Sequence, residues 1–311
     1  MRSDLNHWIQ EIRKGEARPV ARALTEIENR GPRSRTLLRS LFPYSGKALR
    51  LGVTGAPGVG KSTLISQITA NLRRQDCKVA IVGVDPTSPY SGGSILGDRV
   101  RMQSHHGDPG VFVRSMATRG VLGGLAPTTA DVVTVLEAAG YDAVLIETVG
   151  VGQAEIEIMK WVSQIVLVLT PGMGDDVQMM KAGVMEIADV FLINKSDQDG
   201  ASQLESQLRS LLALLPEGAP WPSIVRTVAT TGEGVDQLME SLSTRPGLLN
   251  RLVGGWKERL ASMVQQEVVE HIQRCIDDAR FEKMAHEIVE GRQNPYELVE
   301  AVVAEVKNAK S

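Results

Sequence analysis

Residues 51–72 read LGVTGAPGVGKSTLISQITANL and contain the pattern GxxxxGK[ST] at residues 55–62. An apolar, β-branched segment precedes the pattern, and a segment with apolar residues at helical spacing follows it. Binding of a phosphate chain requires this order of strand, glycine-rich loop and helix. The glycines let the loop curl so that backbone N–H groups point at phosphate oxygens, beside the positive end of a helix. The segment therefore predicts a nucleotide-phosphate site.

Three side chains of this segment have distinct predicted roles. We expect Lys61 to bridge the β- and γ-phosphates, Ser62 to coordinate Mg²⁺ through its hydroxyl, and Thr63 to reach the α-phosphate. Lys61 is for the same reason a predicted catalytic residue. The complete predicted phosphate-binding set is Gly55, Ala56, Pro57, Gly58, Val59, Gly60, Lys61, Ser62 and Thr63.

Strands and helices alternate on the C-terminal side of this segment. Apolar runs predict strands at 49–54, 79–84, 143–147, 165–169, 190–194 and 224–228. Helical patterns lie between them at 61–74, 128–139 and 177–188. The near-continuous hydrophobicity of the strands indicates a parallel sheet that is buried on both faces. The prediction is a three-layer α/β/α fold of the P-loop NTPase class with a mostly parallel central sheet.

The two ends of the chain have helical patterns of their own. Residues 1–47 predict short polar helices, and a long amphipathic helix is expected from about residue 246, with another opening at Pro295. The predicted domains are therefore a helical extension (1–47), a nucleotide-binding domain (48–245) and a helical arm (246–311). The C-terminal helices either pack back on the core or bury their apolar stripe against a second subunit.

Composition excludes several classes of function. The net charge of -3 gives no general electrostatic reason to bind nucleic acid or an anionic membrane. Cys77 and Cys275 lie far apart, which argues against a disulfide scaffold or a cysteine-rich metal site. No stretch approaches the roughly 20 apolar residues that span a bilayer, and the N-terminus has no apolar signal region. We expect a cytoplasmic protein.

The segment Asn194-Lys195-Ser196-Asp197 follows the predicted strand at 190–194. The Asp197 carboxylate can accept hydrogen bonds from both N1–H and the exocyclic amine of guanine. Adenine lacks this pair of donors and would leave the carboxylate unpaired, a difference of several kcal/mol. Lys195 is expected to cover the base and Asn194 to tie the loop to the phosphate site. GTP is therefore preferred over ATP.

A second loop, residues 227–234, ends the next predicted strand. We expect Ala229 and Thr230 in this loop to cover the base from the other side. The alternative is an ordinary strand–turn connection with no ligand.

Three acidic residues compete for Mg²⁺. Glu147 ends the strongly apolar strand at 143–147, Asp85 follows the strand at 79–84, and Asp98 lies beyond a loop rich in glycine and proline. Each is alternatively a solvated acid at a strand end. Gln153 and Glu155 are candidates to orient a water molecule, or simply helix caps.

With these motifs together, the chain resembles the MeaB/ArgK family of GTPases, the methylmalonyl-CoA mutase-associated G proteins. The resemblance covers nearly the whole chain. It rests on residues 55–63, DPTSP with SGGSILGDR (85–99), ETVGVGQ (147–153), PGMGDDVQ (171–178) and NKSD (194–197).

The resemblance implies a slow GTPase that binds GTP or GDP with Mg²⁺ and forms a homodimer through C-terminal helices. Its implied partner is an adenosylcobalamin-dependent acyl-CoA mutase, for which it gates cofactor delivery and prevents inactivation. The implied Mg²⁺ ligands are Ser62, Asp85, Asp98 and Glu147, and the implied guanine contacts are Asn194, Lys195 and Asp197.

The resemblance also identifies residues 175–181 with a loop that couples the partner to hydrolysis. Gln178 and Lys181 therefore become candidates for residues that act in this coupling, and Lys181 is a predicted catalytic residue. The alternative is a purely structural role, in which Asp175 or Asp176 caps a helix. Many family members have Ser-Ala in the last guanine loop where this chain has Val228-Ala229, so only backbone contacts are carried over there.

Two other functions remain open. A nickel metallochaperone GTPase would need cysteine or imidazole ligands, and the sequence contains neither a cysteine motif nor a histidine-rich tract. A P-loop small-molecule kinase, such as an amino-acid transport kinase, would need an acceptor pocket and rarely carries NKxD.

Overall fold

The computed structural model describes residues 2–85, 107–117, 125–148, 153–172, 187–213, 222–243, 248–275 and 278–308. Residues 1–253 form one compact unit and residues 254–311 form a second.

A parallel sheet of seven strands organises the described part of the first unit. The strands are β1 (Leu49–Thr54), β2 (Val79–Asp85), β3 (Val111–Ala117), β4 (Ala143–Thr148), β5 (Gln164–Leu169), β6 (Val190–Ile193) and β7 (Ser223–Arg226). Their order across the sheet is β3-β2-β4-β1-β5-β6-β7, and all six pairings are parallel. The predicted α/β/α fold is confirmed.

Helices cover both faces of this sheet. They are α1 (Arg2–Arg13), α2 (Ala17–Glu28), α3 (Ser34–Leu41), α4 (Lys61–Arg74), α5 (Leu125–Ala138), α6 (Gln153–Met159), α7 (Ala201–Leu212) and α8 (Val235–Ser243). Successive residues of a strand point to opposite faces, so Val144 and Ile146 of β4 join a core with α5, whereas Leu145 joins a core with α4 and α8. The near-continuous apolar runs of the sequence follow from this burial on both faces.

The N-terminal helices belong to the first of these cores. Ile12, Leu24 and Leu37 are fully buried and cluster with Leu136 of α5. Arg114 on β3 also donates two hydrogen bonds to the carboxylate of Glu28 on α2, at 2.9 and 2.7 Å. The three helices therefore form an additional layer over α5. The domain boundaries at residues 47 and 245 stay predictions.

Several elements differ from the sequence prediction. Strand β3 was not expected, because Arg114 and Ser115 interrupt its apolar run at the edge of the sheet. Helix α5 begins at Leu125 rather than residue 128, and the last two predicted strands end at Ile193 and Arg226. The predicted helix at 177–188 lies almost entirely outside the described residues.

The second unit contains most of α9 (Leu248–Cys275), together with α10 (Asp278–Val289) and α11 (Pro295–Asn308). The long helix and the helix opening at Pro295 match the prediction, but α10 was not predicted. These helices leave apolar side chains such as Val264, Val289 and Val299 more than half exposed. Among the described residues, no helix is long and apolar enough to cross a membrane.

Candidate functional site

The site-forming loops follow the carboxyl ends of β1, β4, β6 and β7. Strand β1 lies between β4 and β5, so the chain leaves β1 for one side of the sheet and later crosses to the other. In open parallel sheets, ligands bind in the crevice that such a reversal opens at the carboxyl ends of the strands. The glycine-rich loop starts at this position.

Two glycines of the loop have steric reasons to be glycine. Gly55 has φ +150, and a Cβ there would lie 2.4 Å from the carbonyl oxygen of Val168 on β5. Gly60 has φ +96, and a Cβ there would lie 2.4 Å from the side-chain nitrogen of Asn194. The loop thus packs so closely on its neighbours that its backbone path depends on both glycines.

Lys61 is the first residue of α4, and its ammonium group lies back over the loop. Its Nζ donates to the carbonyl oxygens of Gly55 at 2.8 Å and Ala56 at 2.9 Å, and the residue is buried. These bonds fix a positive charge beside the loop amides. Within the loop Val59 is buried, whereas Pro57 and Gly58 are exposed, and Thr63 in the first turn of α4 is also exposed. Phosphate binding by these residues stays a prediction.

Two of the four predicted Mg²⁺ ligands meet in the structure. The Ser62 hydroxyl donates to Oε1 of Glu147 at 2.7 Å, which joins α4 to the end of β4. A hydroxyl and a carboxylate are hard oxygen donors of the kind that Mg²⁺ prefers, so this pair fits the predicted ion. Asp85 is the last residue of β2, but its side chain and the whole of Asp98 lie outside the described residues.

Three further residues that are predicted to act in hydrolysis have side chains outside the described part of the structure. Gln153 is the first residue of α6, but its side chain is outside the described part. Gln178 and Lys181 also lie outside it. Their roles stay predictions.

Asn194 joins three loops. Its Nδ2 donates to the carbonyl oxygen of Val59 at 2.7 Å, and its Oδ1 accepts from the backbone N–H of Ala229 at 3.0 Å. The Thr227 hydroxyl donates to the same oxygen at 3.3 Å. Asn194 is 2% exposed, so these bonds form away from water, where a missing partner costs most. The side chain therefore sets the spacing between the phosphate loop and the loop at 227–234.

We call Asn194 and its three hydrogen bonds the Asn194 joint. The other predicted guanine-binding residues lie around it. Lys195 donates from Nζ to the carbonyl oxygen of Gly58 at 3.0 Å, so its stem crosses from one loop to the other. Asp197 and Thr230 are exposed, whereas Ala229 is buried and its N–H is directed at Asn194. These positions leave the Asp197 carboxylate accessible to a base.

An ion-pair cluster holds the end of β7, which leads into the loop at 227–234. Glu205 on α7 accepts hydrogen bonds from Arg209 and from Arg226, the last residue of β7. Hydrogen bonding to Arg209, followed by the Arg226 bond and charge, lowers the pKa of Glu205 against the opposing effect of burial. The cluster ties the end of β7 to the helix after Asp197.

Sequence reasoning did not single out three threonines of the site. The hydroxyls of Thr148 and Thr54 form a buried 3.0 Å hydrogen bond between the ends of β4 and β1, and Thr227 contacts Asn194. These partners are 94 and 33 residues apart in the chain. No local pattern signals such contacts, because they depend on strand order.

A protein-family comparison decides the classification of this chain. The family described as methylmalonyl-CoA mutase-associated GTPase MeaB matches residues 20–285. The chain belongs to the MeaB family. The resemblance inferred from the sequence motifs is therefore confirmed, and the chain is a P-loop GTPase with a guanine-nucleotide site.

Individual relatives of this MeaB-family chain agree. GTPase ArgK of Escherichia coli is 38% identical over 282 residues, covering 87% of this chain and 83% of that one. A Pyrococcus abyssi relative is 40% identical over 97% of each chain. A mouse protein named methylmalonic aciduria type A homolog, mitochondrial, is 37% identical, and the match covers 74% of this chain and 60% of that protein.

Among solved structures, the crystal structure of a LAO/AO transport system kinase covers 99% of both chains, with 27% sequence identity and a TM-score of 0.67.

Proposed function

We propose that this MeaB-family protein hydrolyses GTP slowly to GDP and phosphate, and that hydrolysis regulates an adenosylcobalamin-dependent acyl-CoA mutase. The mutase would be methylmalonyl-CoA mutase or a close relative, and the GTPase cycle would gate its cofactor loading and protect it from inactivation. The observation that carries the proposal is the Asn194 joint, which makes the phosphate loop and the base-reading loops one unit. The partner class is supported by the family description and the mouse relative.

The phosphate half of the site would work through fixed positive charge. Lys61 is held beside the loop and would neutralise charge on the β- and γ-phosphates without first having to be ordered. Ser62 and Glu147, with Asp85 and Asp98, are the residues that would hold Mg²⁺. A bound Mg²⁺ would supply electrostatic stabilisation of the charge on the phosphates.

The guanine half would select the base through the Asp197 carboxylate. Because Asp197 is exposed and follows the Asn194 joint by three residues, it can meet a base that rests against Lys195 and the loop at 227–234. This arrangement favours a regulatory GTPase over a small-molecule kinase, since a kinase has no need to read the base so strictly.

Asp197→Asn is expected to shift nucleotide preference from GTP towards xanthosine triphosphate. The amide can donate to the C2 oxygen of xanthine, whereas it loses one acceptor for the guanine N–H groups. We expect affinity for GTP to fall by about tenfold to a hundredfold, which corresponds to one lost hydrogen bond to a charged group. Fluorescence titration with labelled GTP and XTP measures this. The matched control is Asp199→Asn, an exposed carboxylate two residues further along, which should leave both affinities unchanged. Equal GTP affinity in Asp197→Asn and wild type would assign base reading to another loop.

We also propose that the second unit mediates a homodimer. On α9, Leu260, Val264 and Val268 recur every four residues and are each at least half exposed. An apolar stripe of this kind on one helix is typical of a helix-packing surface. A second copy of the chain would cover it.

Replacing both Val264 and Val268 with glutamate is expected to convert a dimer into a monomer, because two carboxylates would be desolvated at the interface. Sedimentation velocity measures the mass directly. Ser262→Glu is the control, because Ser262 is exposed on the opposite face of the same helix, and this variant should remain dimeric. A wild-type chain that sediments as a monomer, or a double variant that remains a dimer, would contradict this assignment.

The central test measures GTP hydrolysis with and without purified methylmalonyl-CoA mutase. We expect a slow basal rate that the mutase raises, with no phosphoryl transfer to arginine or lysine. Transfer of the γ-phosphate to an amino acid faster than to water would favour the kinase alternative. Stoichiometric tight binding of nickel would favour the metallochaperone alternative. A hydrolysis rate that the mutase leaves unchanged would contradict the regulatory role.

A further inference from the structure

The N-terminal layer has a charge opposite to that of the rest of the protein. Residues 1–50 contain nine arginines and two lysines against five Asp and Glu residues. The remaining residues contain 23 Lys and Arg against 32 Asp and Glu. The slightly acidic whole therefore includes one strongly basic layer, formed by α1, α2, α3 and the turn before β1.

Acids of this layer have internal hydrogen-bond partners, but many of its cations form no ion pair within the described chain. Glu26 accepts a hydrogen bond from the backbone N–H of Arg33, and Glu28 is paired with Arg114 on β3. Six exposed cations form no ion pair with another residue of the described chain: Arg13, Lys14, Arg18, Arg22, Arg39 and Lys47. The layer therefore presents net positive charge to its surroundings.

Two aromatic side chains lie among these cations. Phe42 is 54% exposed and Tyr44 is 44% exposed, in a short 3-10 helix that follows α3. The guanidinium carbon of Arg13 lies 3.6 Å from the centroid of the Tyr44 ring, a cation–π contact. Arg39 precedes this turn and Lys47 follows it. We call Arg13, Arg39, Phe42, Tyr44 and Lys47 the basic–aromatic surface.

The turn that carries this surface is firmly anchored. Leu41, just before it, is fully buried, and the backbone N–H of Gly46, just after it, donates to the Glu137 carboxylate. Glu137 also holds Arg50 through two hydrogen bonds. The exposure of Phe42 and Tyr44 is thus a property of an ordered segment, and a partner would meet a preformed surface with little ordering cost.

The basic–aromatic surface lies near the amino end of β1, whereas the nucleotide loops lie at the carboxyl ends of the strands. The turn at 42–44 precedes β1, whereas the phosphate loop follows its carboxyl end, about 20 Å away for a six-residue strand. A partner bound at the turn would therefore leave the crevice at the nucleotide loops open.

We propose that the basic–aromatic surface docks onto an acidic surface of a partner protein. The inference rests on the proposed function, because the mutase is the partner that the family supplies. Arginine, tyrosine and phenylalanine are enriched in protein interfaces and lysine is depleted, which matches nine arginines against two lysines in residues 1–50. Nucleic acid and anionic membrane fit less well, because the acidic remainder of the chain would repel an extended polyanion.

The test measures affinity of the full-length protein for purified methylmalonyl-CoA mutase from the same organism. Arg39→Glu is expected to weaken binding by about tenfold at low salt, with a smaller difference at high salt because charges are screened. Phe42→Ser is expected to weaken binding at both salt concentrations. Arg18→Glu changes charge equally at an exposed site outside the defined surface and is expected to have a smaller effect. Basal GTP hydrolysis should be unchanged in all three variants.

The outcomes separate the two proposals. If wild type binds the mutase and the Arg39 and Phe42 variants bind equally well, the docking surface is wrong and the proposed function stands. If wild type does not bind the mutase at all, both are wrong. The same variants are titrated with a DNA duplex and with vesicles of phosphatidylserine in phosphatidylcholine. Charge-dependent binding to either of these, with mutase affinity unaffected by Arg39→Glu, would overturn the protein-docking assignment in favour of that ligand.

Discussion

Replacing Lys61 with alanine is expected to abolish GTP binding. The ammonium group is buried beside the phosphate loop, where it donates to the carbonyl oxygens of Gly55 and Ala56. Its loss removes charge-assisted hydrogen bonds of about 1.5–3 kcal/mol each to the nucleotide. Two such bonds correspond to a loss of affinity of about a hundredfold or more.

Isothermal titration with GTP and GDP measures this change. Arg74→Ala is the matched control, since Arg74 is an exposed cation at the other end of the same helix. We expect the control to bind as wild type does, and both variants to unfold cooperatively. Tight GTP binding by Lys61→Ala would refute the assignment of residues 55–63 as the phosphate site.

The second large effect concerns stability. Glu137→Ala is expected to destabilise the protein by about 3–5 kcal/mol, because it leaves a buried guanidinium without its partner. Arg50 donates from Nε and a terminal nitrogen to the two carboxylate oxygens of Glu137, at 2.7 and 2.8 Å. The side chain of Glu137 is 1% exposed and that of Arg50 is 11% exposed. The pair joins the start of β1 to the last turn of α5.

Urea unfolding followed by circular dichroism gives the free-energy difference. The double variant Arg50→Met, Glu137→Leu is expected to recover most of the lost stability, because no charge is then left buried. Glu205→Ala is the comparison for a more exposed ion pair and should cost much less. A loss below about 1 kcal/mol in Glu137→Ala would mean that water compensates the guanidinium.

The two large effects act at opposite ends of the same strand. Lys61 follows the carboxyl end of β1, and Arg50 lies near its start. We therefore expect Glu137→Ala to unfold more easily but to bind GTP normally while folded, whereas Lys61→Ala should lose binding without a comparable loss of stability.

Local sequence patterns determined the fold class and much of the nucleotide site. The strand, loop and helix around residues 51–72 required a phosphate-binding α/β fold, because each of these features depends only on neighbours in the chain. NKSD pointed to guanine for the same reason. The edge strand β3 escaped prediction, since an edge position allows Arg114 and Ser115 where a central strand would require apolar residues.

The tertiary structure alone decided which distant residues meet. The order of strands in the sheet puts Ser62 against Glu147, Asn194 against Val59, and Arg50 against Glu137, at separations of 85, 135 and 87 residues. The excess of arginine in residues 1–50 is a property of the sequence, but which of these arginines are exposed depends on how the N-terminal helices pack. A sequence specifies periodicity and turns locally, but contacts between loops depend on how the whole sheet is ordered and twisted.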